Sequence, residues 1–189
     1  MIKKAHGFTI VELLIVIVVI AILAAISIVS YTGIQNRANN SAIISAVSQT
    51  LKTIQAYVAL NGTYPYTASV HGDICVTVTS GCYNDSGAVG SNTGFNTNIA
   101  TVGSVPKSVP MTGANRYGIQ LTYNPNQMMN GESRPMRMTY WLFGTNQQCG
   151  VSDVAGSAWP AYTSSTTGYT IGNDSGKTRC WVAVPGPAA

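Results

Sequence analysis

From Phe8 to Val29 the chain runs through 22 residues with a single charge, at Glu12. Wound as an α-helix rising 1.5 Å per residue, that stretch covers about 33 Å, enough to cross the hydrocarbon core of a bilayer. Lys3 and Lys4 stand just before it, which favours a cytoplasmic N-terminus by the positive-inside rule. A buried helix of a soluble domain fits this length and flanking charge poorly. An ordinary cleaved secretory signal would have a shorter apolar core and a small-residue cleavage site on its far side.

Helical periodicity continues past the apolar run. Ile44, Val47, Leu51, Ile54 and Val58 are spaced 3, 4, 3 and 4, one apolar stripe on an amphipathic helix. Asn61-Gly62 supplies a C-cap, and Pro65 prevents an early restart. The spacing therefore predicts one helix from about Phe8 to about Leu60, on the order of 80 Å long. Its first half is apolar on all sides; its second half needs a domain to lie against.

Beyond Gly62 the pattern changes to short β-like runs broken by Gly, Asn and Pro. Strands are expected at Ile74–Thr79, Tyr117–Tyr123, Met136–Phe143 and Arg179–Val184, with a short one at Tyr169–Ile171. Residues 84–108, rich in Gly, Ser, Asn and Thr, are expected to form a long surface loop. The fold class is α+β: a long N-terminal helix, half transmembrane and half amphipathic, packed on an antiparallel sheet. The expected segments are a leader over 1–7, a transmembrane or filament-core helix over 8–30, its amphipathic continuation over 31–60, and a β-rich head over 61–189.

Charged residues make up 8% of the 189, against about a quarter in globular chains. Hydroxyls and amides therefore wet this surface, which suits an exported protein. The formal charge of +4 falls to +2 if Lys3 and Lys4 are removed with the leader, too mild for a nucleic-acid or anionic-membrane surface.

Residues Lys3-Lys4-Ala5-His6-Gly7-Phe8-Thr9-Ile10-Val11-Glu12-Leu13 resemble the class III leader and cleavage site of type IV pilins. The resemblance is close over 1–34 and resumes at Asn61-Gly62-Thr63-Tyr64-Pro65, similar to the helix-to-head junction of that family. It implies a pilin fold and cleavage between Gly7 and Phe8 by a membrane aspartyl prepilin peptidase, with N-methylation of the new amino group of Phe8. It also implies that Glu12 pairs with the N-terminus of Phe8 in a neighbouring subunit and sets axial register. A carboxylate inside an apolar helix is costly and marks function. Thr9 can bond its own helix backbone without a further role.

The function so implied is structural: a subunit of a type IV pilus, held in the cytoplasmic membrane before assembly and in an extracellular filament afterwards. Its partners are other copies of itself, the prepilin peptidase, and an assembly platform with a cytoplasmic ATPase. The alternatives are a type II secretion pseudopilin, a minor pilin at the tip with an adhesive or DNA-binding head, and a tethered binding protein that never polymerises. Many pilins carry a glycine midway along the apolar helix and a proline near its end; here those positions are Ala21 and Val29. Alanine favours helix over glycine by about 1 kcal/mol, and removing proline restores a backbone donor worth about 3 kcal/mol. Phe8–Tyr31 is thus expected to stay helical in subunit and filament.

Cys75, Cys82, Cys149 and Cys180 read as two disulfides in an exported chain, with three pairings open. Cys75–Cys82, closing a short loop across Ser80-Gly81, and Cys149–Cys180, stapling the last strand, are the favoured pairs. The closest cysteines are spaced too widely for a zinc knuckle, and no metal or cofactor is expected.

No enzyme constellation appears, since His6 lies in the leader and His71 stands alone. Asn-Asp-Ser-Gly occurs at 84–87 and at 173–176; each holds one carboxylate, so both suit turns better than calcium. Arg116, Arg134, Arg137, Lys177 and Arg179, with Tyr117, Tyr140 and Trp181, are a candidate basic-aromatic patch for DNA, as a secondary role.

Overall fold

No proline precedes Pro65, and Gly33 is the only glycine between Phe8 and Asn61, so nothing local stops a helix once begun. The computed structural model, which describes residues 8–129, 132–151, 170–184 and 186, contains that helix as α1, Ile10–Asn61, 52 residues long. It is unbroken through Ala21, Val29 and Gly33. It ends where Gly62 turns to φ 66° and donates its N–H to the Val58 carbonyl at 2.9 Å, the left-handed cap that glycine adopts without a Cβ clash.

The chain divides into two compact units, one reaching to Arg37 and one from Ala38 onward. In the second unit, α1 buries Ile43, Ala46, Val47, Thr50, Leu51, Ile54, Tyr57 and Val58. Ile43, rather than the expected Ile44, heads the stripe; Ile44 is half-buried at its edge. Thr50 sits inside because its hydroxyl is satisfied by the Ala46 carbonyl at 2.8 Å. Each fully buried aliphatic side chain contributes about 2 kcal/mol, so packing outweighs local propensity over this half.

The stripe lies in one core with an antiparallel sheet. The elements after α1 are β1 (Gly72–Cys75), β2 (Tyr83–Asn84), β3 (Gly87–Ala88), α2 (Thr93–Ala100), β4 (Gln120–Tyr123), β5 (Met128–Met129), β6 (Glu132–Ser133), β7 (Met136–Phe143), β8 (Thr170–Asp174) and β9 (Lys177–Ala183). The main sheet has five strands in the order β1-β4-β7-β9-β8, and β2-β3 and β5-β6 are separate hairpins. Ile74, Leu121, Met138, Tyr140, Leu142, Cys180 and Val182 face the core. Alternation turns Gln120, Thr122, Arg137, Thr139, Trp141, Arg179 and Trp181 to the other face.

β7 occupies the residues expected of it, whereas several other expectations are corrected. β1 ends at Cys75 instead of Thr79, because the chain turns back: Gly81 N–H donates to the Thr77 carbonyl at 2.7 Å, and Cys82 is bonded to Cys75. β4 begins at Gln120, not Tyr117, because Gly118 takes φ 87°. A Cβ at Gly118 would strike the Gly81 carbonyl oxygen and come within 2.8 Å of Cys82 Sγ, so only glycine fits. β9 starts two residues early, at Lys177, and ends at Ala183. β8 is five residues long, and Tyr169 lies outside the described residues.

The loop expected over 84–108 holds β3 and the helix α2. The Asn92 side-chain oxygen accepts from Phe95 N–H at 2.8 Å and caps it, while Phe95 and Ile99, four apart, reach the core. Both Asn-Asp-Ser-Gly segments form hairpin turns. Ser175 and Gly176 both have positive φ between paired Asp174 and Lys177, the twist that suits two-residue hairpins.

One contact between α1 and the sheet was not foreseen. The buried Asn40 amide accepts from Phe143 N–H at 2.7 Å and donates to the Phe143 carbonyl at 3.1 Å. It pairs the end of β7 as a neighbouring strand would.

Candidate functional site

The helix start carries its own lock. Thr9 N–H and Thr9 Oγ1 donate to Glu12 Oε2 at 2.8 and 2.7 Å, and Glu12 N–H donates back to Thr9 Oγ1 at 3.2 Å. This is a capping box, legible in the Thr-x-x-Glu spacing but not recognised there. Thr9 therefore does more than bond its own backbone: it positions the Glu12 carboxylate. Negative charge in a helix's first turn also complements the macrodipole.

Around that lock nearly every large apolar side chain is exposed, from Phe8 at 80% through Ile20 at 59% to Ile34 at 67%. A continuous apolar surface of this extent marks a partner or a membrane rather than water. Among the described residues, α1 is the one helix long and apolar enough to cross a membrane, by length and composition. Gly7 and the expected leader lie outside the described residues.

In the head, Cys75 is bonded to Cys82 and Cys149 to Cys180. The second bridge closes 31 residues and the first closes 7. Loop entropy assigns them about 3.7 and about 2.4 kcal/mol respectively. Replacing Cys149 and Cys180 together by Ser is therefore expected to lower the head's melting midpoint more than replacing Cys75 and Cys82, as circular dichroism would read. Equal drops would mean that local packing, not loop closure, sets the contribution.

The candidate basic patch is not a free cationic surface. Arg116 and Arg179 both pair with Asp85, the latter at 3.1 Å. The Arg137 guanidinium lies 4.3 Å from the Trp181 ring centre, and Lys177 donates to the Asn115 carbonyl. Tyr117 stacks on Tyr83. Tyr140 is fully buried on the core face, where its hydroxyl donates to the Cys149 carbonyl at 2.7 Å. Burial pushes the Tyr140 hydroxyl far above its usual range, and that of Tyr64 up to about 12. Neither ring is open to a base.

His71 is half exposed, 3.6 Å from Asp73. Among the described residues no cluster of His, Cys, Asp or Glu could hold a metal ion. Sequence reasoning also passed over Asp85 as the partner of two arginines, and no local signal joins residues 31 and 94 positions apart.

A long N-terminal helix with an apolar first half, joined to an antiparallel sheet, is the α+β arrangement of pilin-like proteins. Residues 2–28 match the family model described as the prokaryotic N-terminal methylation motif, the class III leader of type IV prepilins. Neither the curated proteins nor the solved structures compared with the chain give a match.

Proposed function

We propose that the protein is the structural subunit of a type IV pilus, drawn from the membrane into an extracellular filament by its N-terminal helix. The observation that carries this is the exposed apolar half of α1, most of it inside the methylation motif matched over residues 2–28. Such a surface is stable in lipid or packed against other apolar helices rather than in water.

In this proposal a prepilin peptidase cuts between Gly7 and Phe8, and Phe8 is N-methylated. The helix stays in the cytoplasmic membrane until a platform driven by an ATPase extrudes it. Glu12, the one charge of the run, pairs with the Phe8 amino group of a neighbouring copy as the helices pack. The role is structural rather than catalytic. The arginines of the head that are tied to Asp85 and Trp181 rather than extended weigh against DNA binding as its main task.

Surface filaments sheared from cells and analysed by mass spectrometry test this directly. The main protein should be this chain, beginning at N-methylated Phe8 and lacking residues 1–7. Filaments built mainly of another chain, with this one in trace amounts, would instead make it a minor subunit. Its confinement to the periplasm would favour a pseudopilin.

A further inference from the structure

The sheet face turned away from α1 holds a polar cavity of about 160 Å³ whose lining includes Asp73, Asn84, Gln120, Thr122, Arg137 and Arg179. β1, β4 and β7 bring Asp73, Thr122 and Arg137 into one row across the sheet, with Gln120 beside Thr139 in the next. The turn of the β2-β3 hairpin, with Asp85 half exposed, and half-exposed His71, 3.6 Å from Asp73, also line it.

The hydrogen bonds inside fix the direction of every amide. Ser86 N–H donates to Asn84 Oδ1 at 2.9 Å, so that end of Asn84 is the acceptor. Asn84 Nδ2 therefore donates, to Asp73 Oδ2 and to Gln120 Oε1, each at 3.3 Å. Gln120 Oε1 must then accept, which leaves Gln120 Nε2 without a protein partner, although Gln120 is 2% exposed. Thr122 Oγ1 already donates to Asp73 Oδ1 at 2.6 Å. A buried amide donor left unmatched is costly, so the site is built to meet an acceptor oxygen.

Charge narrows what brings that oxygen. The lining carries two carboxylates, Asp73 and Asp85, and two guanidiniums, Arg137 and Arg179. Asp85 is already shared by Arg116 and Arg179. Counting Arg116, the excess is a single positive charge already held against Asp85, so the site offers a cation nothing and an anion little. A neutral ligand whose groups both donate and accept fits, and hydroxyls do both. The volume is well above the roughly 15 Å³ that one water needs, leaving room for a small polyhydroxylated molecule.

We propose that this cavity binds one neutral sugar residue, a ring oxygen accepting from Gln120 Nε2 while neighbouring hydroxyls bond Asp73 and Arg137. It would do so in the subunit alone, independently of filament formation.

The test uses the full-length protein in a sugar-free zwitterionic detergent, with saturation-transfer NMR against glucose, galactose and N-acetylglucosamine. Methyl glycosides of each stand for a sugar linked in a glycan, and the reducing sugars for a free one. At least one probe should bind at millimolar concentration. Gln120→Met, which keeps the bulk and removes the amide, should weaken it about tenfold. Near-ultraviolet circular dichroism of Trp141 and Trp181 checks the fold. If Gln120→Met does not fold, Asn84→Ala, on the hairpin turn, removes the group that orients Gln120 and should weaken binding similarly. Absence of binding by every sugar overturns the proposal. So does equal binding by folded variants, or displacement of the sugar by phosphate or calcium chloride.

Discussion

A Glu12→Val variant should enter the membrane, lose its leader and be methylated, yet produce no filaments by electron microscopy. Valine keeps the helix apolar, so insertion has no reason to suffer. What disappears is the one carboxylate of the apolar run, the proposed partner of a neighbour's Phe8 amino group. The capping box offers a competing explanation, because Glu12 also holds Thr9, and two further variants separate the causes. Glu12→Gln keeps a capping-box acceptor but loses the charge; it should assemble as poorly as the valine variant. Thr9→Ala removes the hydroxyl from the box and keeps the charge; filaments should persist in large part. Normal piliation by Glu12→Gln would reduce Glu12 to a helix cap and sink the intersubunit ion pair.

The second large effect is expected at Gly7. Glycine leaves the Gly7–Phe8 bond free of side-chain bulk on its amino side, which lets a peptidase's carboxylates come close. A β-branched side chain there blocks that approach, so Gly7→Val should accumulate as full-length precursor with no mature protein and no filaments. Lys3 and Lys4 remain attached in that precursor and hold the N-terminus on the cytoplasmic side. Membrane fractions probed by immunoblot and N-terminal sequencing give the answer. A mature N-terminus beyond residue 25, in wild type or variant, would show that the apolar run is an ordinary cleaved signal.

Arg179 pairs with Asp85 and lies over Trp141 and Trp181, and Arg137 lies over Trp181, so these cations are held by neighbouring groups rather than extended into solvent. With charged residues at 8% of the chain, long-range attraction contributes little to what the protein's surface meets.

Which parts of the molecule could be foreseen follows from the range of the interactions that make them. Helix α1 and its end at Gly62 depend on neighbours within four residues, and β7 on alternation over eight; such signals are written locally. The apolar run, its single Glu12 and the basic leader also define the N-terminal segment without reference to the rest of the chain. The helix α2 was hidden by polar composition, although Asn92 as cap and the Phe95–Ile99 spacing mark it; two core contacts outweigh weak propensity. The start of β4, the placing of Ile43 inside in preference to Ile44, and the Asn40 grip on Phe143 depend on partners tens to about a hundred residues away, whereas β1 is cut short locally, by the turn at Gly81 and the bridge seven residues long. The pairing of Arg116 and Arg179 with Asp85 and the stranding of Gln120 Nε2 likewise depend on distant partners. The sequence alone determined the helix, its apolar and amphipathic halves and the chemistry of its N-terminus. Only the tertiary structure decided which polar groups of the head are neutralised and which remain unmatched, because hydrogen bonds and ion pairs across a sheet are set by register between distant strands.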